Sequence, residues 1–188
     1  MKQTAKYHLE GVAPLLMHNG QLSDPLNQWT KAIKKITDKR KKTEADHEEI
    51  GHLEWLGSLY LHNGQPCIPR EAIKATLLRA AMTLKKGPKV KPGLVAEEHA
   101  TLLYDGPSDP QTLYQDADFI YRTTKSMRGQ RVLRTRPIFF PWSTQIQLAF
   151  NDELLNPGEV DELVVIAGTS IGILEERPEY GRFTMHKL

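Results

Sequence analysis

Along residues 143–150 apolar and polar positions alternate. Ile146, Leu148 and Phe150 take one face and Gln145, Gln147 and Ala149 the other, the period of a strand with one side buried. Residues 6–18, KYHLEGVAPLLMH, have the same character, with Tyr7, Leu9 and Val12 apolar among polar neighbours. A turn is expected over 19–25. Over 26–56 the period changes to three and four: Leu26, Trp29, Ile33 and Ile36 mark one apolar face against lysine. The charge then flips to Glu44, Asp46, Glu48 and Glu49, so the pattern predicts a helical hairpin, or a helix broken near Lys42-Thr43. A short strand and a turn are expected over 57–69. Pro69 then stands at a helix start, where its missing N–H costs nothing. The helix over 70–84 carries the stripe Ile73, Leu77 and Ala81, and Gly87-Pro88 is expected to end it.

The second half is more broken. Residues 93–110 suggest one or two short strands, and 111–130 a polar, partly basic excursion. Residues 131–151 suggest two strands around Pro141. Asn156-Pro157-Gly158 opens a helix over 158–167 with acids in its first turn and Gly168 after its end. A last strand is expected over 181–187. Without the excursions the order is strand 6–18, helix 70–84, strand 131–139, strand 143–150, helix 158–167, strand 181–187. This predicts an α+β fold of βαββαβ order, a ferredoxin-like or RRM-like antiparallel sheet with both helices on one face. The chain 1–188 then forms one such domain, with a helical insertion (a thumb) at 26–56 after the first strand and a second insertion at 105–130.

Composition narrows the function classes. The net charge is only +2, so the distribution of charge decides whether a polyanion is a partner. A single cysteine, Cys67, excludes a disulfide framework and a cysteine zinc site within one chain. No apolar run resembles a signal peptide or reaches the ~18 residues of a membrane span, so a soluble, cytoplasmic protein is expected. His47 and His52 lack the i, i+4 spacing of a zinc helix, and the loop GTSIGILEERPEYG lacks the Gly-Lys-Ser/Thr of a P-loop.

Three basic clusters stand out. The first, KAIKKITDKRKK, holds Lys34, Lys35 and Lys39; the second is KKGPKVK at 85–91. Each reads either as a solvated surface or as a phosphate contact. The third, YRTTKSMRGQRVLRTRP, holds Arg122, Lys125, Arg128, Arg131, Arg134 and Arg136 with no acid between them. Arginine suits phosphate because its planar fork makes two parallel hydrogen bonds. In a strand Arg134 and Arg136 point to one face, which predicts an uncovered, nucleic-acid-binding side rather than a salt-bridged exterior. Tyr121 at its edge is placed to stack a base.

The stretch IPREAIKATLLRAA resembles a motif of the RAMP superfamily, RRM-like proteins that include the backbone subunits of CRISPR effector complexes of antiviral defence. Ile68, Pro69, Ile73, Lys74 and Arg79 match it; Arg70, Glu71 and Thr76 replace its small residues. GVAPLLMHNG at 11–20 is similar to the family's first strand and turn. AGTSIGILEERPEYGRFTM at 167–185 is similar to its glycine-rich loop, with Gly168, Gly172, Arg177, Gly181, Arg182 and Phe183. The resemblance implies a divergent or stand-alone member, for instance a phage-encoded one. It implies an RNA or single-stranded DNA partner bound through Arg70, Lys74, Arg79, Arg177 and Arg182. It also implies side-by-side assembly with copies of itself and with other effector subunits, no membrane and no cofactor. On the helix the three cations otherwise read as a solvated face, with Glu71 pairing with Lys74. Two alternatives stay open. One is an endoribonuclease of the same fold, with His18 as general base or Asp24 with magnesium; as ordinary residues these are a turn histidine and a turn cap. The other is an inhibitor or decoy that copies a backbone subunit.

Overall fold

A computed structural model describes residues 1–127 and 129–188; Arg128, assigned above to the basic run, lies outside the described residues. In chain order the elements begin with β1 (Lys2–Gly11), β2 (Leu15–Leu16), α1 (Gln28–Thr37), α2 (Glu44–Ser58), β3 (Leu61–His62) and β4 (Gln65–Ile68). Then come α3 (Arg70–Thr83), α4 (Gly87–Gly93), β5 (Leu94–Ala96), β6 (Ala100–Thr101) and α5 (Pro110–Leu113). The chain ends with β7 (Ile120–Met127), β8 (Gln130–Phe139), β9 (Ser143–Asn151), α6 (Pro157–Ile166) and β10 (Phe183–Lys187). The class is α+β with antiparallel sheets. The chain divides into two compact units: 1–15, 61–105 and 140–188 form the first, 16–60 and 106–139 the second. The stretches read as two separate insertions thus belong to one unit.

The first unit is built on a four-stranded sheet in the order β10-β1-β9-β5. β1 is central. It pairs antiparallel with β9, Tyr7 opposite Ile146, and with β10, Leu9 opposite Met185. The period-2 pattern sets which side is buried. Ala5, Tyr7 and Leu9 turn inward with Ile146, Leu148 and Phe150; Ile73, Leu77, Ala80 and Ala81 of α3 and Val160, Leu163 and Val164 of α6 are buried too, and the two helices pack on each other, α3 also on β5 and α6 on β10. Each fully buried Leu or Ile side chain contributes about 2 kcal/mol. The Tyr7 hydroxyl donates to Asp161 on α6 at 2.7 Å, which ties the central strand to that helix. Lys6, Glu10, Gln145, Thr184 and His186 on the opposite face are exposed.

Three boundaries differ from the sequence reading. The first strand covers 2–11, not 6–18: beyond Gly11 the chain leaves the sheet, and the Gly11 and Val12 amides bond to the carbonyls of Trp142 and Arg182. The second strand of this sheet is the three-residue β5, not 131–139. β5 is too short to show a period, whereas 131–139 has strand character but pairs with β7, inside the stretch read as an excursion. Gly87-Pro88 opens the short helix α4 instead of leading into a loop, since proline fits a first helical turn.

The loop between α6 and β10 closes on its glycines. Gly172 and Gly181 both have positive φ, +78° and +70°. A Cβ at Gly181 would collide with the Ile173 carbonyl oxygen, and one at Gly168 with that of Phe183.

In the second unit α1 and α2 form the expected hairpin. Thr43 caps α2 with a capping box: its hydroxyl accepts the Asp46 amide, and the Asp46 carboxylate accepts the Thr43 amide. The sheet of this unit runs β2-β8-β7. α2 packs on β8, burying Trp55, whose indole N–H donates to the Phe119 carbonyl at 2.8 Å.

Gly181→Ala is expected to destabilise the protein by about 2–4 kcal/mol, because a positive φ and a backbone collision act together; thermal unfolding measures it. Asp46, held at about 2 mainly by its bond to Lys39 and then by the Thr43 amide, is expected to keep its charge well below the usual carboxylate range. Because its folded value is depressed, the cap stabilises above about pH 4 and is lost as pH falls toward 2. Carboxyl NMR titration of Asp46 checks this, and a midpoint near 3.8 would refute it.

Candidate nucleic-acid interface

In the first unit the cations of α3 do not form one row. Nine residues, two and a half helical turns, separate Arg70 from Arg79, so they point to opposite sides. Lys74 is half-buried; Arg70 and Arg79 are exposed. Arg70 donates from Nε to Glu71 at 2.9 Å, so Glu71 pairs with its neighbour and not with Lys74.

The helix that carries Arg79 meets the glycine-rich loop. Thr76 Oγ1, on the same helix, donates to the Gly172 carbonyl at 3.4 Å. The stem of Arg177 packs where a Cβ at Gly172 would stand, with Cγ 3.3 Å away. Partial burial holds Arg177 below the usual arginine value, and the charge of Arg79 lowers it further, against an opposing effect of Glu175. Arg79 and Arg177 thus stand on two segments, about a hundred residues apart in the chain, that the bond from Thr76 to Gly172 joins. Arg182 is also exposed, and its carbonyl accepts the amides of Val12 and Ala13.

In the second unit the arginine run is not one surface. Arg134 Nη1 bonds Glu54 Oε1 on α2 at 2.7 Å, and Glu54 Oε2 accepts the Thr135 amide at 2.9 Å. Glu54 is buried and Arg136 is only 8% exposed. This corrects the expectation that Arg134 and Arg136 line an uncovered face: Arg134 helps attach β8 to α2, and Arg136 is buried. Arg122 and Arg131 are exposed, Lys125 is half-buried, and all three lie on the β7–β8 hairpin. The Arg122 guanidinium lies over α2 at Gly51. On α1 Lys34 and Lys35 are exposed; just beyond it Lys39 bonds Asp46 at 2.6 Å. In the first unit's cluster at 85–91, Lys86 bridges Glu159 and Glu162 of α6, at 3.2 and 3.1 Å.

The two proposed catalytic residues occupy ordinary roles. The carbonyl of His18 accepts the Tyr60 hydroxyl at 3.0 Å, and its Nδ1 lies 3.4 Å from Ser58 Oγ. Asp24 accepts the Leu26 amide at 2.8 Å, closing its own turn before the helix. Among the described residues no group of three or more His, Cys, Asp or Glu side chains is arranged to hold a metal ion. Nor is any helix among them long and apolar enough to cross a membrane.

Sequence reading missed one cluster. His62 of β3 and His99 of the β5–β6 loop lie with ring centroids 4.9 Å apart, tilted by 44°, and His99 stands beside Arg70 and Glu71. Thirty-seven positions separate the two histidines, a spacing that carries no periodic signal.

Glu54→Ala is expected to destabilise the protein by about 2–4 kcal/mol, because it strands a partly buried guanidinium and a backbone amide. Arg122→Ala and Arg131→Ala are expected to change stability by less than about 0.5 kcal/mol, as exposed positions do. Urea unfolding of the three variants distinguishes the structural arginine pair from the exposed ones. Comparison of the chain with protein-family models and with curated proteins gives no match.

Proposed function

We propose that this chain binds single-stranded RNA along its phosphate backbone, as a RAMP-type backbone subunit that assembles side by side with copies of itself. The first unit is read as a ferredoxin-like platform. Supporting this are the antiparallel strand order β10-β1-β9-β5, with α3 following β1 in the chain and α6 following β9. The observation that carries the binding reading is that α3, which bears the exposed Arg79, is joined through Thr76 to the glycine-rich loop that bears Arg177. Both come from segments with the RAMP resemblance, and the planar fork of each guanidinium suits bidentate bonding to a phosphate. In the second unit, Arg122 and Arg131 on the β7–β8 hairpin add exposed cations to the same reading. Contacts of this kind bind phosphate rather than bases, so affinity depends steeply on salt and little on sequence.

Fluorescence anisotropy with labelled single-stranded RNA over a salt series tests it. Arg79→Ala and Arg177→Ala are each expected to weaken binding and to reduce the slope of log K against log salt by about 0.7. Unchanged affinity and slope in both variants refute the reading.

A further inference from the structure

The start of α3 carries a titratable cluster away from Arg79 and Arg177. His99 Nδ1 accepts the Arg70 backbone N–H at 3.3 Å. A ring nitrogen that accepts this bond carries no proton, so His99 is neutral in the observed arrangement. It also caps the helix, since Pro69 at the N-cap supplies no side-chain bond. Glu71 stands between a guanidinium and an imidazole: its Oε1 accepts from Arg70 Nε at 2.9 Å, and its Oε2 lies 4.0 Å from His99 Nδ1.

We propose that His99, Glu71 and Arg70 form a proton-operated exchange, in which protonation of His99 draws the Glu71 carboxylate away from Arg70 and releases the Arg70 guanidinium to take a phosphate. In the neutral state Glu71 occupies Arg70. A proton on Nδ1 sets donor against donor at the Arg70 amide, so the imidazolium turns from that amide toward the carboxylate beside it. Arg70 is more than half exposed, so its released fork faces water and ligand.

The neighbouring charges favour this sequence of events. His62, from β3, lies with its ring centroid 4.9 Å from that of His99 at a tilt of 44°, so a second positive charge there would repel the first. The Arg70 bond holds Glu71 below the usual carboxylate range, so Glu71 stays charged where imidazoles titrate. Cys67, on β4, is pushed up to about 11 by burial and by Glu71, so its thiol stays neutral. Lys6 of β1 and Glu98 share a cavity of ≈ 160 Å³ with His99, where their opposite charges act against each other.

The effect on RNA rests on the binding reading above; the exchange itself does not, and the experiment has two arms. In the first, NMR follows the imidazole nitrogens of His99 and the Nε–H of Arg70 from pH 8 to 5.5 without RNA. The Arg70 signal is expected to move with the His99 midpoint and to stay flat in His99→Gln, whose amide oxygen can still accept the Arg70 N–H but cannot titrate. An Arg70 signal that ignores the His99 titration, or that moves equally in His99→Gln, overturns the exchange. In the second arm RNA affinity at constant ionic strength is expected to rise across this range by roughly two- to fivefold more in the wild type than in His99→Gln or Arg70→Gln, the size of one exposed ion pair. The double variant is expected to match either single one. Equal pH dependence in all four proteins overturns the released-arginine step. A wild type that binds no RNA at any pH overturns the binding reading and with it the ligand assigned to Arg70, while the first arm still decides the exchange.

Discussion

The first unit depends on the place of β1 between two antiparallel neighbours. Its side chains alternate strictly, so a slip of one residue would carry Lys6 and His8 into the core and Tyr7 and Leu9 into water. Pairing with β9 and β10 on both edges, together with the bond from Tyr7 to Asp161, pins that register. The positions of α3 and α6 follow, because each must cover the apolar side that the register creates.

The same constraint shapes the candidate site. To lie beside β1, β10 must be reached from α6 through a tight loop, which only glycine allows at 172 and 181. Tightness at Gly172 leaves room for the Arg177 stem, on the loop that Thr76 of α3 bonds. A loop that serves packing thus also carries the Arg177 charge. At the other end of α3, a histidine from a distant loop accepts the Arg70 amide at the helix start.

The second unit shows why a run of like charges is a poor guide by itself. From Tyr121 to Pro137 no acid interrupts the basic residues, and the stretch reads as one surface. Its partner acid, Glu54, stands about eighty residues earlier on α2. Burial of that carboxylate is tolerated because a guanidinium and a backbone amide both satisfy it. Arg134 and Arg136 therefore contribute to packing, while Arg122 and Arg131, a few positions away, stay exposed.

Local patterns were legible where an element is long enough to repeat. The alternation in β9, the apolar face of α1, the break before Thr43, the stripe of α3 and the capped start of α6 are all present in the amino-acid order. β5 was not, since three residues hold no period, and residues 120–127 read as part of a polar, partly basic excursion over 111–130 because their polar side chains hide a strand. The amino-acid order alone determined the α+β class, most of the helices and the two segments that hold Arg79 and Arg177. Tertiary structure alone decided which strand joined which sheet, which arginines were neutralised, and that His62 and His99 meet at the start of α3. The physical reason is that periodicity records how a segment faces a core. Ion pairs and sheet neighbours join residues tens of positions apart, and such contacts leave no repeat to read.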